Sequence, residues 1–356
     1  MKVYYLYGYP FRANDNPYVG TLINGIKDVA QDIEIGFGLD KFWDEALFDY
    51  DLLHINWPDI LLSKDSTLED VGLFVDRLVR FKAGKGKIIV TCHNLQPHYC
   101  KNDIREAVYK KVYGIADVMI HLGRYSQELM KTKYPHVKHV LCFHHTYDSL
   151  YCKTDRESSL KKLHLNPDIK YILCFGDFRD DEEREIVDEV ARYFHSKKIE
   201  LLAPGYYRIA KRRNFLMLGC QWLKVRLKEL MTPGLHIYGW FVPNDLLPYF
   251  YGASDVALIQ RKKILNSGNL PLGFYFGKVV VGPNVGNVGE ILESTGNPTF
   301  LPDDNDSIID AVNKAFELHK YGKGLLNSQY AEMNFSTHII CKKMYEIYES
   351  TLNKNS

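Results

Sequence analysis

Asn266, Ser267, Gly268 and Asn269 form a short polar stretch after an apolar, strand-like run that ends near Gln260. Small residues at a helix start let backbone N–H groups approach a phosphate, and the helix dipole adds attraction. Arg261, Lys262 and Lys263 stand just before it and supply positive charge for a diphosphate. Asn-Ser-Gly is equally a good helix cap and turn. A second group, His93, Asn94 and His98, follows an apolar run in VTCHNLQPH. Imidazole titrates near neutrality and can remove a proton from a hydroxyl, or hydrogen-bond a sugar or diphosphate. His54, Asn56 and Trp57 form a third group. The indole there suits either a stacking platform for a sugar ring or a seal for the domain.

Other chemistries lack their residues. His144 and His145 are adjacent and no HExxH is present, so no metal-ligand spacing is seen. There is no Walker A pattern, and Gly282, Gly286 and Gly289 are not spaced as GxGxxG. The seven cysteines form no CxxC pair and read as reduced core residues.

The elements that position these groups are βα repeats. In the first half, strands are predicted at Val3–Tyr7, Leu52–Asn56, Lys87–Thr91, Val118–His121 and His139–Phe143. Helical patterns lie near Tyr18–Gln31, Thr67–Lys82, Asp103–Ile115 and Ser126–Tyr134. The strands are apolar runs, as expected of strands buried on both faces of a parallel sheet. Lys153–Asp168 is polar and breaks the series at Asn-Pro-Asp. A second series starts at Tyr171–Phe178 and continues through Ile199–Ala203, Leu235–Tyr238, Val256–Gln260 and Lys278–Gly282. Its helices are expected at Asp181–His195, Asp245–Tyr251, Leu270–Phe276 and Ser307–His319, followed by an amphipathic helix at Thr337–Leu352.

Length and composition agree. The 356 residues, 46% hydrophobic and 25% charged, suit two globular domains. A net charge of +1 argues against a nucleic-acid binder. No apolar run approaches the ~18 residues that span a bilayer. No signal-peptide pattern opens MKVYYLYGYP, so a cytoplasmic location is expected. The Asp103–Ile115 helix carries Arg105, Lys110 and Lys111 beside Val108, Val112 and Ile115. That stripe fits peripheral contact with an anionic membrane, or an ordinary helix with its apolar face in the core.

The order of motifs resembles the glycosyltransferases of the GT-B fold, in particular bacterial enzymes of capsule and exopolysaccharide synthesis. The likeness rests on CFGDFR (Cys174–Arg179), YGWFVPNDLLPYFYGASDVALI (Tyr238–Ile259) and the SG…FGKVVVGPNVGNVGEIL stretch. LLHINWPD, VTCHNLQPH and FHHTYDSLY carry it in the first half. It implies an α/β protein of two Rossmann-like, doubly wound domains facing across a cleft, with a C-terminal helix after the second sheet. The expected domains are 1–155 on the acceptor side and 156–336 for the nucleotide-sugar donor. The helix of 337–356 is expected to pack back on the first domain.

The resemblance implies a hexosyltransferase that moves a sugar from a UDP- or GDP-linked donor to a saccharide or lipid-linked acceptor. It implies no metal, no further cofactor and no nucleic-acid partner, and a place at the inner face of the plasma membrane. His93 is the implied base, with Asp15 in the Gly8–Gly20 loop as the alternative. Donor contacts are implied for Gly176, Arg179, Lys211 of the basic run Tyr206–Arg213, Trp240, Phe241, Val242, Lys263 and Asn266–Asn269. His54, Asn56, Trp57, Asn94, His98 and His144 are implied on the acceptor side. The chain departs from the large family-4 type, whose retaining members carry Glu-x7-Glu: Ile264 and Leu272 stand at those two positions. This divergence keeps two alternatives open, an inactive sugar-nucleotide-binding protein and a sugar-nucleotide epimerase of the same fold.

Overall fold

Apolar runs become parallel strands in both halves of the chain. A computed structural model describes all residues except 12–15, 98–102, 208–214, 239–241 and 354–356, and omits the side chains of 215–218. It divides into two units, Met1–His144 with Ser336–Ser356, and His145–Phe335.

The first unit holds β1 (Lys2–Leu6), β2 (Glu34–Phe37), β3 (Leu52–Ile55), β4 (Lys87–Cys92), β5 (Val118–His121) and β6 (Lys138–Leu141). They pair in the order β2-β1-β3-β4-β5-β6, every pair parallel. Four crossover helices connect them: α1 (Tyr18–Val29), α2 (Leu68–Ala83), α3 (Asp103–Ile115) and α4 (Arg124–Lys133). β3 and β5 are buried at every residue, which is why they read as continuous apolar runs. β2 was not expected. Its four residues, Glu-Ile-Gly-Phe, are half-exposed at the sheet edge and carry no apolar run. α2 starts on a full capping box, Thr67 with Asp70.

The apolar stripe of α3 turns inward: Val108 and Val112 are fully buried. Arg105 Nη1 bonds Asp59 Oδ2 at 2.5 Å. Of the two readings of this helix, Val108 and Val112 follow the core one, and Arg105 is held in an ion pair.

The second unit begins with α5 (Arg156–Leu163), β7 (Lys170–Leu173), α6 (Asp181–His195), β8 (Ile199–Pro204), α7 (Phe215–Met231) and β9 (Leu235–Tyr238). It continues with α8 (Leu247–Ala253), β10 (Val256–Leu258), α9 (Asn269–Tyr275), β11 (Val279–Pro283), α10 (Gly286–Ser294) and β12 (Thr299–Phe300). α11 (Asn305–Lys320) and α12 (Lys323–Phe335) close it. The sheet order is β12-β11-β10-β7-β8-β9, again all parallel.

The division falls at His144, not at residue 155, because the segment after His145 is bonded into the second unit. Tyr275 OH donates to Tyr151 O at 2.7 Å, and Thr154 Oγ1 to Pro248 O at 2.9 Å. The polar stretch read as a break contains α5, capped by Asp155 on Ser158 N. Arg156 clamps it to Ala253 O, Asp255 and Ile169 O. Gly252 is needed there, since a Cβ would stand 2.2 Å from Ser159 Oγ.

The last helix, α13 (Thr337–Leu352), returns to the first unit. Gly25 lets it approach α1: a Cβ would meet Cys341 Sγ at 2.5 Å. Tyr348 OH lies 2.5 Å from Tyr5 OH and 2.6 Å from His54 Nδ1. His54 Nε2 in turn meets Thr91 Oγ1 at 2.8 Å. Burial drives the His54 pKa down to about 3, so the ring is neutral in the fold. Among the described residues, no helix is long and apolar enough to cross a membrane.

Tyr348→Phe removes the hydroxyl that both Tyr5 and His54 share, and is expected to cost about 1–3 kcal/mol in urea unfolding. The neutral His54 adds an acid dependence. Between its ordinary value near 6.5 and about 3, only the unfolded chain binds this proton. Stability should therefore be complete above that window and fall as pH drops through it. His121 is lowered to about 3 as well, by burial first and then by His139 and Lys131. His54→Gln should reduce the acid slope by roughly one proton, about 1.4 kcal/mol per pH unit. An unchanged slope would assign the dependence elsewhere.

Candidate active site

In an open parallel sheet, ligands bind beyond the carboxyl ends of the strands, where the strand order reverses direction. In the first unit that point lies between β1 and β3, and in the second between β10 and β7.

Tyr7 and Trp57 follow β1 and β3, with ring centroids 5.6 Å apart. Trp57 stacks on His93, which follows β4, at 4.7 Å and 16°. His93 Nε2 lies 3.2 Å from Asn56 Oδ1. Tyr18, at the start of α1, sets its ring edge-on to His93 at 4.8 Å and approaches His144 at 4.7 Å. Tyr18 is buried, while Trp57, His93 and His144 are half-buried. Asn56 is fully buried, and its Nδ2 has no hydrogen-bond partner. The structure thus joins Asn56, Trp57, His93 and His144, expected from sequence, with Tyr7 and Tyr18, which were not. Tyr18 was hidden because it reads as the first residue of a helix.

Two expected residues of this half do other work. His54 is fully buried with both ring nitrogens engaged by Tyr348 and Thr91, so it braces the sheet and lines no surface. Asn94 is buried, and its carbonyl accepts from Tyr113 OH at 2.5 Å. Asp15 and His98 lie outside the described residues.

The second unit assembles around tight backbone contacts. Gly176 (φ +114°) and Gly205 (φ +90°) follow β7 and β8, and a Cβ on Gly205 would stand 2.6 Å from Gly176 O. Asn269 Nδ2 donates to Phe175 O at 2.6 Å, which ties the start of α9 to the β7 loop. Gly286 (φ +61°) sits against Ile264 O, and Asn287 Nδ2 donates to Asn266 Oδ1 at 2.6 Å. Ser267 Oγ accepts from Asn269 N at 3.3 Å. Asn269 and Ser267 therefore spend these groups on bracing. Gly268 has ordinary helical φ of −64°, so glycine there is not demanded by the backbone.

The cations sort by environment. Arg261 Nη2 donates to Asp177 O at 3.0 Å, and Nε lies 3.8 Å from Glu183 Oε1. Glu183 is buried at the head of α6 and also accepts from Arg179 N at 3.0 Å. Burial raises its pKa, against the pull of that N–H and of Arg261. Arg179 is half-buried, and its Nε is buried with no partner. Gln260, just past β10, accepts from Cys174 Sγ at 3.2 Å while its buried Nε2 has no partner. Sequence reasoning missed Gln260 and Glu183. Gln260 closed an apolar run, and Glu183 stood among three acids of a helix first turn. Lys263 is exposed and Val242 half-exposed, and neither has a structural reason to be fixed. Lys211, Trp240 and Phe241 lie outside the described residues. Ile264 and Leu272 are both buried apolar residues, so no carboxylate stands at either position.

No family model matches the chain. A GDP-mannose:glycolipid 4-beta-D-mannosyltransferase of Xanthomonas campestris pv. campestris is 22% identical over 277 residues, covering 76% of this chain and 70% of that protein. Sucrose-phosphate synthase from Thermosynechococcus elongatus superposes with a TM-score of 0.73 at 15% identity, over 98% of each chain. Anabaena Alr3699/HepE, solved in complex with UDP-glucose, superposes with a TM-score of 0.71 at 12% identity, over 98% of this chain and 100% of its own. With two six-stranded parallel sheets and a C-terminal helix, the chain has the GT-B fold and resembles, over nearly its whole length, the glycosyltransferases built on it.

Proposed function

We propose that this chain is a glycosyltransferase that moves a hexose from a nucleotide-sugar donor to a hydroxyl of a saccharide or lipid-linked saccharide, in surface polysaccharide synthesis at the cytoplasmic face of the membrane. The observation that carries this reading is the pair of residue sets at the two switch points. The second unit offers N–H groups that can meet an anionic or carbonyl ligand: Arg179 Nε and Gln260 Nε2, buried without a protein acceptor. The first unit offers an imidazole held between an indole face and an amide oxygen. The Xanthomonas relative, named for GDP-mannose and a glycolipid, makes GDP-mannose the first donor to try and a lipid-linked sugar the first acceptor.

In this reading His93 removes the proton as the acceptor oxygen attacks the anomeric carbon. The bond from that carbon to the diphosphate oxygen breaks, and the nucleoside diphosphate leaves with the electron pair. Preorganised cations and N–H groups of the second unit stabilise the charge that develops on it. Apolar Ile264 and Leu272 support single displacement with inversion, because neither can supply a carboxylate near the sugar. The same absence favours the second reading, a protein that binds the donor and transfers nothing.

A thermal-shift panel with GDP, UDP, ADP, CMP and their sugar conjugates tests the donor half. A nucleotide at about 100 times its Kd should stabilise the protein by about 2.7 kcal/mol. Failure of every nucleotide, with folded protein, would sink both readings. A shift with one donor, but no transfer to any saccharide or glycolipid acceptor, would favour the second. His93→Ala should lower kcat about 100- to 10,000-fold while leaving the donor-induced shift intact. Unchanged turnover in that variant would remove His93 as the base.

A further inference from the structure

We propose that the buried thiol of Cys174 positions the donor pocket: it holds one end of the Gln260 amide, so that the other end presents a fixed N–H to the diphosphate of a sugar nucleotide. This rests on the reading of the second unit as the donor half. β7 and β10 pair in parallel, with Val256 opposite Ile172 and Ala257 opposite Leu173. Side chains alternate along a strand, so Ile172 and Cys174 share a face with Val256, Leu258 and Gln260. Ile172, Cys174, Val256 and Leu258 all belong to one apolar core. Gln260 is therefore a polar group set at the end of that core, just past the carboxyl end of β10 and at the switch point. It and Cys174 are 1% and 0% exposed.

Cys174 Sγ donates to Gln260 Oε1 at 3.2 Å. Burial, and then the charge of Glu183, hold the thiol pKa well above its ordinary value, so the S–H persists at neutral pH. A side-chain amide accepts at its oxygen and donates at its nitrogen. With Oε1 on the thiol, Nε2 is turned away from Cys174, and it is buried without a partner. The core side of this face is apolar and supplies no acceptor. The missing partner comes with a ligand. Without the thiol the amide is free to turn over and present its oxygen, which repels another oxygen. Arg179 Nε, on the loop that leaves β7, is a second buried N–H with no partner. Glu183 binds this loop at Arg179 N, and its charge acts on Cys174, so both N–H groups belong to one cluster. Both are donors only. A hydroxyl brings a hydrogen of its own, whereas an ionised phosphate oxygen only accepts, so the cluster suits the diphosphate and not the sugar.

The test is calorimetric titration of the intact protein with GDP, UDP and ADP, and with the sugar conjugate of whichever binds. Gln260→Leu deletes the N–H at similar size. It should weaken the nucleoside diphosphate about tenfold, and its sugar conjugate by the same factor. The melting temperature without ligand should not fall, because the variant also removes an unmatched buried donor. Cys174→Ala should weaken both ligands about fivefold, while Cys174→Ser, which restores a hydrogen donor, should recover affinity to within about twofold of the parent. A thiol that only packs predicts no such rescue, since Ser is the poorer fit to an apolar core. Cys174→Ser no better than Cys174→Ala would overturn the positioning role. Equal affinity of parent and Gln260→Leu would overturn the inference outright, whatever the Cys174 variants do. A loss confined to the sugar conjugate would move the contact to the sugar and overturn the diphosphate assignment. A parent that binds none of the three nucleotides overturns the donor-half reading, and this inference with it.

Discussion

The hydrogen bonds at His54 link the end of the chain to the chemistry at its beginning. His54 on β3 and Asn56 just past it are two residues apart, as are Thr91 on β4 and His93 just past it, so each pair faces one side of the sheet. His54 to Thr91 at 2.8 Å is therefore one rung, and Asn56 to His93 at 3.2 Å is the next. Tyr348 closes the lower rung from α13 and shares its hydroxyl with Tyr5 on β1. All of these polar groups but the half-buried His93 are buried, where leaving one unmatched costs more than the bond nets. The position of His93 thus depends in part on the last helix of the chain, through Tyr348, His54 and Thr91.

The second unit fixes its loops differently, through main chain more than side chain. Gly205 on Gly176, Gly286 on Ile264 and Asn269 on Phe175 O bring four loops into contact without bulk. Close backbone packing leaves small, polar strand tips at the switch point between β10 and β7. The charges then sit in layers. Glu183 lies beneath, accepting the Arg179 N–H and facing Arg261. The Arg179 backbone N–H takes Glu183 Oε2, and the charges of Arg179 and Arg261 both pull against the effect of burial on that carboxyl.

The sheets were legible where strands are buried on both faces, because such strands must be apolar throughout. β2 and β12 were not, being short and at edges, where exposure relaxes the pattern. α5 was hidden by its polarity. It is held by Arg156 and by a Gly252 contact, neither of which leaves a periodic signal. The βα order was enough to predict which loops carry chemistry. It was not enough to separate His54 from His93. Both are histidines at the end of an apolar run, and only the presence of Tyr348 above one and Trp57 beside the other tells them apart.

Averages hide function in the same way. A net charge of +1 argued against a nucleic-acid partner, yet the 24 residues from Arg208 to Met231 hold nearly a sixth of all lysines and arginines. The rest of the chain must then be acidic overall, so the protein is polarised rather than neutral. Helix formation adds a second sorting that composition cannot express. The apolar residues of α7 divide between Val225, which enters the core, and the Leu223–Met231 stripe, which does not.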